Sequence, residues 1–146
     1  MTNYSAPLSD IEFSLNSFVD LPSIMKYDYF DDADHSMVSD LLAEAGRFMA
    51  DIFAPLNKSG DNEGAKRNAD GTVSTPQGFI EAYHAYVEAG WGAVSFDTGF
   101  GGGGFPFVVG LAIQEMMNSA NMAISMAPLL TQGAIDAIRH HGDEIQ

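Results

Sequence analysis

The sequence predicts an all-α fold, a bundle of five or six helices. Apolar residues recur at steps of three and four over most of the 146 residues, the spacing that places side chains on one face of a helix. Proline and glycine stand at the ends of these stretches, where helices begin and end. Only residues 93–96 are typical of a strand. A chain of this length fits one domain and can bury a core.

The first half of the chain predicts two helices and a loop. Residues 9–19 form a short amphipathic helix. The clearest helix covers residues 36–54, and Pro55 should end it because proline has no amide hydrogen to donate. Residues 57–75 are polar and predict a surface loop that is longer than most connections.

The second half predicts three further helices. Each is opened by a proline, which is well tolerated at the first helical position because the amide hydrogen there has no partner inside the helix. These helices begin at Pro76, Pro106 and Pro128, and they end at Gly90, at residues 118–121 and at Gly142.

The charge of the chain excludes several classes of function. Six Lys and Arg residues against twenty Asp and Glu residues give a formal net charge of −14. Nucleic-acid binding needs clustered Lys and Arg, and an anionic membrane surface would repel this chain. No stretch is long and apolar enough to span a bilayer. Cysteine is absent, which excludes thiolate metal sites, and the amino terminus lacks a secretory signal, so we expect a cytoplasmic protein.

Glycine is concentrated in one segment. Seven of the fifteen glycines fall within residues 90–104, a density that costs conformational entropy on folding. Gly99, Gly101 and Gly104 match the pattern of a dinucleotide-binding loop. That fold needs further parallel strands and an acidic residue at the end of the next one, and neither follows here. We therefore interpret the segment as a connector between two helices.

Methionine is concentrated directly after that segment. Four of the eight methionines fall within eleven residues, 116–126. Because methionine is flexible and fits irregular apolar spaces, these side chains belong either to an ordinary core or to the wall of a pocket for a flexible apolar ligand, for example an acyl chain. The pattern leaves both readings open. His140 and His141 are adjacent on a helix and point about 100° apart, so we predict no metal site.

Short motifs along the whole chain resemble those of bacterial acyl-CoA dehydrogenases of the long-chain type. The longest covers residues 43–57, which is similar to the first long helix of that family. The others are Tyr4-x-Ala-Pro-Leu-x-Asp-Ile-x-Phe13, Ser59-Gly-Asp, Thr75-Pro-x-Gly-Phe79, Glu88-Ala-Gly-Trp91, Phe100-Gly-Gly102, Glu115-Met116, Ser119-Ala-Asn-Met122 and Pro128-Leu-Leu-Thr131. Each piece alone is common, but the ordered set is specific.

The resemblance implies a fold and an activity. The family has an N-terminal α-helical domain, a middle β-domain and a C-terminal helical domain. Its members bind FAD and oxidise acyl-CoA thioesters to trans-2-enoyl-CoA, and a glutamate removes the α-proton. The electrons pass to an electron-transfer flavoprotein. A helical domain without its neighbours exposes apolar surface, so we also expect a homo-oligomer.

The resemblance also divides the chain. Residues 1–35 are an N-terminal extension with a short helix, and residues 36–146 are the N-terminal helical domain. The β-domain and the C-terminal domain, with the catalytic glutamate and most flavin contacts, lie outside this sequence. We therefore expect no catalytic residue, no bound FAD and no activity in this chain alone. An acidic helical interaction module without catalysis is the alternative.

The same resemblance implies an acyl-binding wall on the last helices. One departure from the family lies in the glycine-rich turn, where many members carry glutamine and this sequence has Gly103. No side-chain function is therefore assigned to that turn. The predicted wall consists of Met122, Met126, Leu129, Leu130, Thr131 and Ala134.

Overall fold

A computed structural model describes residues 4–31, 33 and 35–146, and nearly all regular structure in these residues is helical. The all-α prediction is confirmed. A turn of π-helix, Met49–Phe53, joins two of the helices into one rod, and a two-stranded antiparallel sheet follows that rod. The elements are α1 Leu8–Ser17, α2 Leu21–Ile24, α3 His35–Phe48, α4 Ala54–Glu63, β1 Lys66–Arg67, β2 Val73–Ser74, α5 Phe79–Glu88, α6 Phe107–Ala120 and α7 Met122–His141.

The core is built around α6, which contacts α3, the π-helical turn and α7. Met116 and Met117 are almost fully buried there, so this pair belongs to the core and not to an exposed pocket wall. Leu42 and Phe53 close the core from the other side. The apolar spacing of the long predicted helix therefore identified the buried face correctly.

Helix α1 shares this core. Ile11 and Leu15 are buried in the same cluster as the α3 side chains. The Ser39 hydroxyl on α3 donates a hydrogen bond of 2.6 Å to the Glu12 carboxylate on α1. The first helix is therefore fixed to the bundle by both apolar and polar contacts.

The prediction that Pro55 ends the long helix is wrong. The rod passes through the π-helical turn and continues to Glu63. Pro55 lies in the first turn of α4, where its missing amide hydrogen is tolerated. Proline therefore marks a change of hydrogen-bond pattern within the rod and not its end.

The long loop predicted for residues 57–75 is also wrong in part. Helix α4 takes up its first residues, and β1 and β2 form a hairpin in the rest. Helix α5 begins at Phe79, three residues later than predicted, after Gly78 with φ of 86°. Gly90, with φ of 74°, follows the C-cap of α5 as predicted.

The glycine-rich segment contains no strand among its described residues. Residues 93–96 lie in and after a 3₁₀ turn, Trp91–Ala93, and a second turn covers Thr98–Phe100. The segment is folded on itself so tightly that a Cβ added to Gly102 would lie 2.2 Å from the Phe96 carbonyl oxygen. The interpretation as a connector between α5 and α6 agrees with this geometry.

The predicted boundaries of the last two helices need correction. Helix α6 continues to Ala120, and Asn121 alone separates it from α7. The Asn121 side chain accepts a hydrogen bond of 3.2 Å from the Ile124 amide and so begins α7 six residues before Pro128. Pro128 is buried inside α7. Proline removes one hydrogen bond of the helix, but the helix continues past it because Asn121 already caps the first turn.

Candidate functional site

Helix α7 exposes a large apolar surface. The six residues of the predicted acyl-binding wall all belong to helix α7, and all six are exposed in the structure. Met126 is 57% exposed and Leu130 is 75% exposed. Side chains of this kind are unfavourable in water at about 25 cal/mol per Å² of apolar area. The surface is therefore suited to contact another apolar group.

The predicted residues do not all share one face. With about 100° per residue, Met122, Met126, Leu129 and Leu130 fall within roughly a third of the helix circumference, and Ala134 lies at their edge. Thr131 points about 180° from Met122. It lines a separate apolar cavity of about 180 Å³, which Tyr86 and Pro128 also line.

A larger cavity of about 590 Å³ lies between α6 and α7 and is closed at one side by Ser95 and Phe96 of the glycine-rich segment. Leu129 is the member of the predicted wall that reaches it. The cavity therefore adjoins the apolar surface of α7 and extends it. Its lining is Ser95, Phe96, Phe107, Gly110, Leu111, Gln114, Leu129, Gln132, Gly133, Asp136 and Arg139.

Two glycines line this cavity. A Cβ on Gly110 would lie 2.9 Å from the Ser95 hydroxyl oxygen, so glycine allows the turn to approach α6 closely. A Cβ on Gly133 would meet nothing within 4 Å and would point into free space. Sequence reasoning missed Gly133, although it follows Leu129 by four residues and so lies on the same helical face.

One polar side chain in the lining is deeply buried. Gln114 is 7% exposed, and its amide nitrogen donates a hydrogen bond of 2.9 Å to the Asn118 side-chain oxygen. The Gln114 oxygen is buried and has no hydrogen-bond partner among the residues that the structure describes. A buried acceptor without a donor costs about 1–3 kcal/mol. Gln114 stands within an apolar run of the α6 sequence, and that run does not indicate a buried polar side chain in a cavity wall.

Charge is confined to one end of the cavity. Arg139 donates a hydrogen bond of 2.8 Å to the Tyr29 hydroxyl, which connects the end of α7 to the N-terminal segment. Asp136 lies 3.5 Å from the His140 ring nitrogen.

Burial, with a smaller effect from Tyr83, raises the pKa of Tyr86 to about 12. Tyr86 therefore stays neutral at ordinary pH.

The lining of the cavity suits the binding of a largely apolar group. Across the parts of the chain that the structure describes, no three His, Asp or Glu side chains come close enough to hold a metal ion. In the same described residues, no helix is long and apolar enough to cross a lipid bilayer. The α7 surface is apolar, and the cavity combines apolar side chains such as Phe107 and Leu129 with five polar or charged residues, so the apolar part fits a flexible apolar ligand.

Comparison with known proteins identifies the relatives of this chain. It is 38% identical over 143 residues to the 3-methylmercaptopropionyl-CoA dehydrogenase of Ruegeria pomeroyi, a match that covers 98% of this chain and 24% of the relative. The chain is homologous to the N-terminal part of acyl-CoA dehydrogenases. The family resemblance found in the sequence motifs is confirmed.

A second acyl-CoA dehydrogenase matches less closely. The broad-specificity linear acyl-CoA dehydrogenase FadE5 of Mycobacterium tuberculosis is 29% identical over 127 residues, which cover 86% of this chain and 21% of the relative. The chain thus spans about a quarter of the length of the curated acyl-CoA dehydrogenases that it matches. No protein-family model matches the chain.

Proposed function

We propose that this chain supplies the N-terminal helical domain of an FAD-dependent acyl-CoA dehydrogenase, which oxidises acyl-CoA to trans-2-enoyl-CoA. The observation that supports the proposal most strongly is the 38% identity to such an enzyme over 98% of the chain. The all-helical structure agrees with it. An interaction module without catalysis is not favoured, because both relatives are enzymes of one class.

In this proposal the domain contributes one wall of the acyl-binding site. The wall consists of the predicted α7 residues Met122, Met126, Leu129, Leu130 and Ala134, with Gly133 as an addition, whereas the sixth predicted residue, Thr131, lines the separate cavity beside Tyr86. Exposed apolar side chains and an adjoining cavity of about 590 Å³ support this role. A flexible acyl chain gains about 0.8 kcal/mol for each methylene that it buries there.

The glycine-rich segment is not arranged as a dinucleotide-binding loop. The amides of all five glycines between residues 99 and 104 donate hydrogen bonds inside the glycine-rich segment, to residues 93, 96, 97 and 98. They are therefore not directed at a pyrophosphate. When bound, FAD accepts a hydride from the substrate. We propose that the remaining three quarters of the full-length protein hold FAD and carry the catalytic glutamate.

The partners follow from the same proposal. The full-length enzyme takes acyl-CoA as substrate, delivers electrons to an electron-transfer flavoprotein in the cytoplasm, and assembles as a homo-oligomer. Exposed apolar side chains outside the proposed wall, such as Phe18 at 78% and Phe100 at 91%, support the last point, since such side chains favour contact with another protein surface over water.

The experiment that tests the proposal uses the full-length protein. We expect flavin absorbance in the purified protein and reduction of an artificial electron acceptor when acyl-CoA is added. We expect the 146-residue chain to show neither. A full-length protein that binds flavin but leaves a series of acyl-CoA substrates unchanged would contradict the proposed reaction.

A further inference from the structure

We propose that the Gln132 side chain separates two cavities of this chain and limits the length of the acyl chain that the site accepts. The two cavities are the larger one of about 590 Å³ between α6 and α7 and the smaller apolar one of about 180 Å³ beside Tyr86. The proposal rests on the proposed function, because it names the residue that sets substrate length in that same acyl-binding site. We call the Gln132 side chain the partition.

The two cavities lie on either side of the partition along helix α7. Among the described residues that line them, Gln132 is the one that lines both. With about 100° per residue, it stands about 40° from the nearest of three α7 residues on each side. Leu129, Gly133 and Asp136 line the larger cavity, and Pro128, Thr131 and Ile135 line the smaller one. The long Arg139 side chain reaches the larger cavity from two turns further along α7.

The glycine-rich segment shows the same division on the opposite side of the cavities. Gly92 and Ala93 line the smaller cavity, whereas Ser95 and Phe96 line the larger one. Val94 stands between these pairs and is buried in the core cluster. The boundary between the cavities therefore has Val94 at one end and the half-buried Gln132 side chain at the other. Of these two, the Gln132 side chain is the one that can move by a change of rotamer.

The Tyr86 hydroxyl holds the partition in place. The Gln132 side chain forms a hydrogen bond with it, which acts against the effect of burial on the pKa of Tyr86. Tyr86 is 3% exposed, and its ring centroid lies 6.0 Å from that of Phe53. A Cβ on Gly92 would lie 3.2 Å from the hydroxyl oxygen, so the glycine-rich segment encloses this group closely. The hydroxyl is thus a fixed partner that orders a long, flexible side chain.

The smaller cavity suits the end of a longer acyl chain. The apolar side chains of Val87, Pro128 and Ile135 line it. An acyl chain that ends in the larger cavity leaves the partition in place. A longer chain has to displace Gln132 and deprive the buried Tyr86 hydroxyl of this hydrogen bond, which lowers affinity by roughly tenfold. The partition therefore penalises acyl chains beyond one defined length.

Binding of S-alkyl-CoA thioethers of increasing chain length to the full-length protein tests the partition. These compounds lack the thioester carbonyl, so calorimetry measures their binding without oxidation. Affinity should rise roughly fourfold with each methylene until the larger cavity is filled, and should then stop rising. In Gln132→Ala the rise should continue. A chain about two methylenes beyond the limit should bind roughly tenfold more tightly to Gln132→Ala than to the unmodified protein.

Three further variants separate the partition from a general effect on packing. Tyr86→Phe keeps the ring but removes the hydroxyl, and it should move the length limit in the same direction. Gln132→Ala/Thr131→Trp should restore the original limit, because Thr131 lines the smaller cavity and a larger side chain fills it. Gln77→Ala makes the same deletion at an exposed site just before α5 and should leave the limit unchanged. Circular dichroism checks that all variants are folded.

These measurements distinguish failure of the partition from failure of the proposed reaction. A full-length protein that oxidises acyl-CoA but has the same length limit with and without Gln132 overturns the partition alone. A limit that moves in Gln132→Ala supports the partition even where acyl-CoA is left unoxidised, a result that overturns the reaction. No gain for long chains in Tyr86→Phe, no restoration by Thr131→Trp, or an equal shift in Gln77→Ala would each contradict the partition. A protein that binds none of the thioethers overturns the acyl-binding site and the partition with it.

Discussion

The Asn121 side-chain amide donates a hydrogen bond of 3.2 Å to the main-chain carbonyl of Phe53. Its oxygen accepts from the Ile124 amide at the start of α7. Asn121 is 1% exposed, so both bonds are shielded from water. One side chain thus connects the π-helical turn of the long rod to the beginning of the helix that carries the predicted acyl-binding wall.

Replacing this side chain should destabilise the chain. We expect Asn121→Ala to lower the free energy of unfolding by about 2–3 kcal/mol, because it removes an N-cap and a buried hydrogen bond. Urea unfolding followed by circular dichroism measures the change. Asn57→Ala, at an exposed site on the same rod, should stay within about 0.5 kcal/mol of the unmodified chain. Equal effects at the two sites would show that the Asn121 contacts are not stabilising.

Two glycines should respond in opposite ways to the same change. We expect Gly102→Ala to cost about 3 kcal/mol or more, since its Cβ would lie 2.2 Å from the Phe96 carbonyl oxygen. Gly133→Ala should stabilise the chain by up to about 1 kcal/mol, because Gly133 lies in a helix with open space around it. Thermal unfolding of the two variants tests the connector interpretation, and a tolerated Gly102→Ala would refute it.

Alkaline pH should destabilise the chain through Tyr86. Its pKa is raised from 10.0 to about 12 in the folded chain, so above pH 10 the unfolded state loses this proton first. The contribution of protonated Tyr86 to the free energy of unfolding is fully present below pH 10. It is lost as the pH rises to about 12, which lowers the free energy of unfolding by roughly 1–3 kcal/mol. Unfolding free energies across that range measure the loss. Tyr86→Phe should flatten the pH dependence, whereas Tyr83→Phe should reduce it only by the smaller contribution of Tyr83 to the pKa of Tyr86.

The helical spacing of apolar residues predicted the fold class because it reports directly on which face of a helix is buried. The predictions from proline were less successful for a physical reason. Pro55 was expected to end a helix, but the π-helical turn before it changes the hydrogen-bond pattern, and the donor that meets Phe53 comes from Asn121, 68 residues away. Pro128 was expected to open a helix, but Asn121, seven residues earlier, had already begun it as the N-cap.

The candidate site was predictable only in part. Family motifs indicated Met126 and its neighbours on α7, and the structure places these side chains on an exposed apolar surface. The cavity beside them depends on how closely α6 approaches the glycine-rich turn at Gly110. That distance is set by packing between segments that no local pattern describes, so the cavity could not be predicted from the sequence, although the spacing of Gly133 from Leu129 could have placed that glycine on the same face.

The role of α7 as an acyl-binding wall is tested most directly by the substrate preference of the full-length enzyme. Met126→Trp places a larger side chain on the exposed α7 surface, and Met37→Trp makes the same change at a comparably exposed methionine on α3. We measure kcat/KM for acyl-CoA substrates of increasing chain length. Met126→Trp should shift the preference toward shorter chains by roughly tenfold, since each displaced methylene is worth about 0.8 kcal/mol, and Met37→Trp should leave it unchanged. An unchanged chain-length profile in Met126→Trp would contradict the proposed wall.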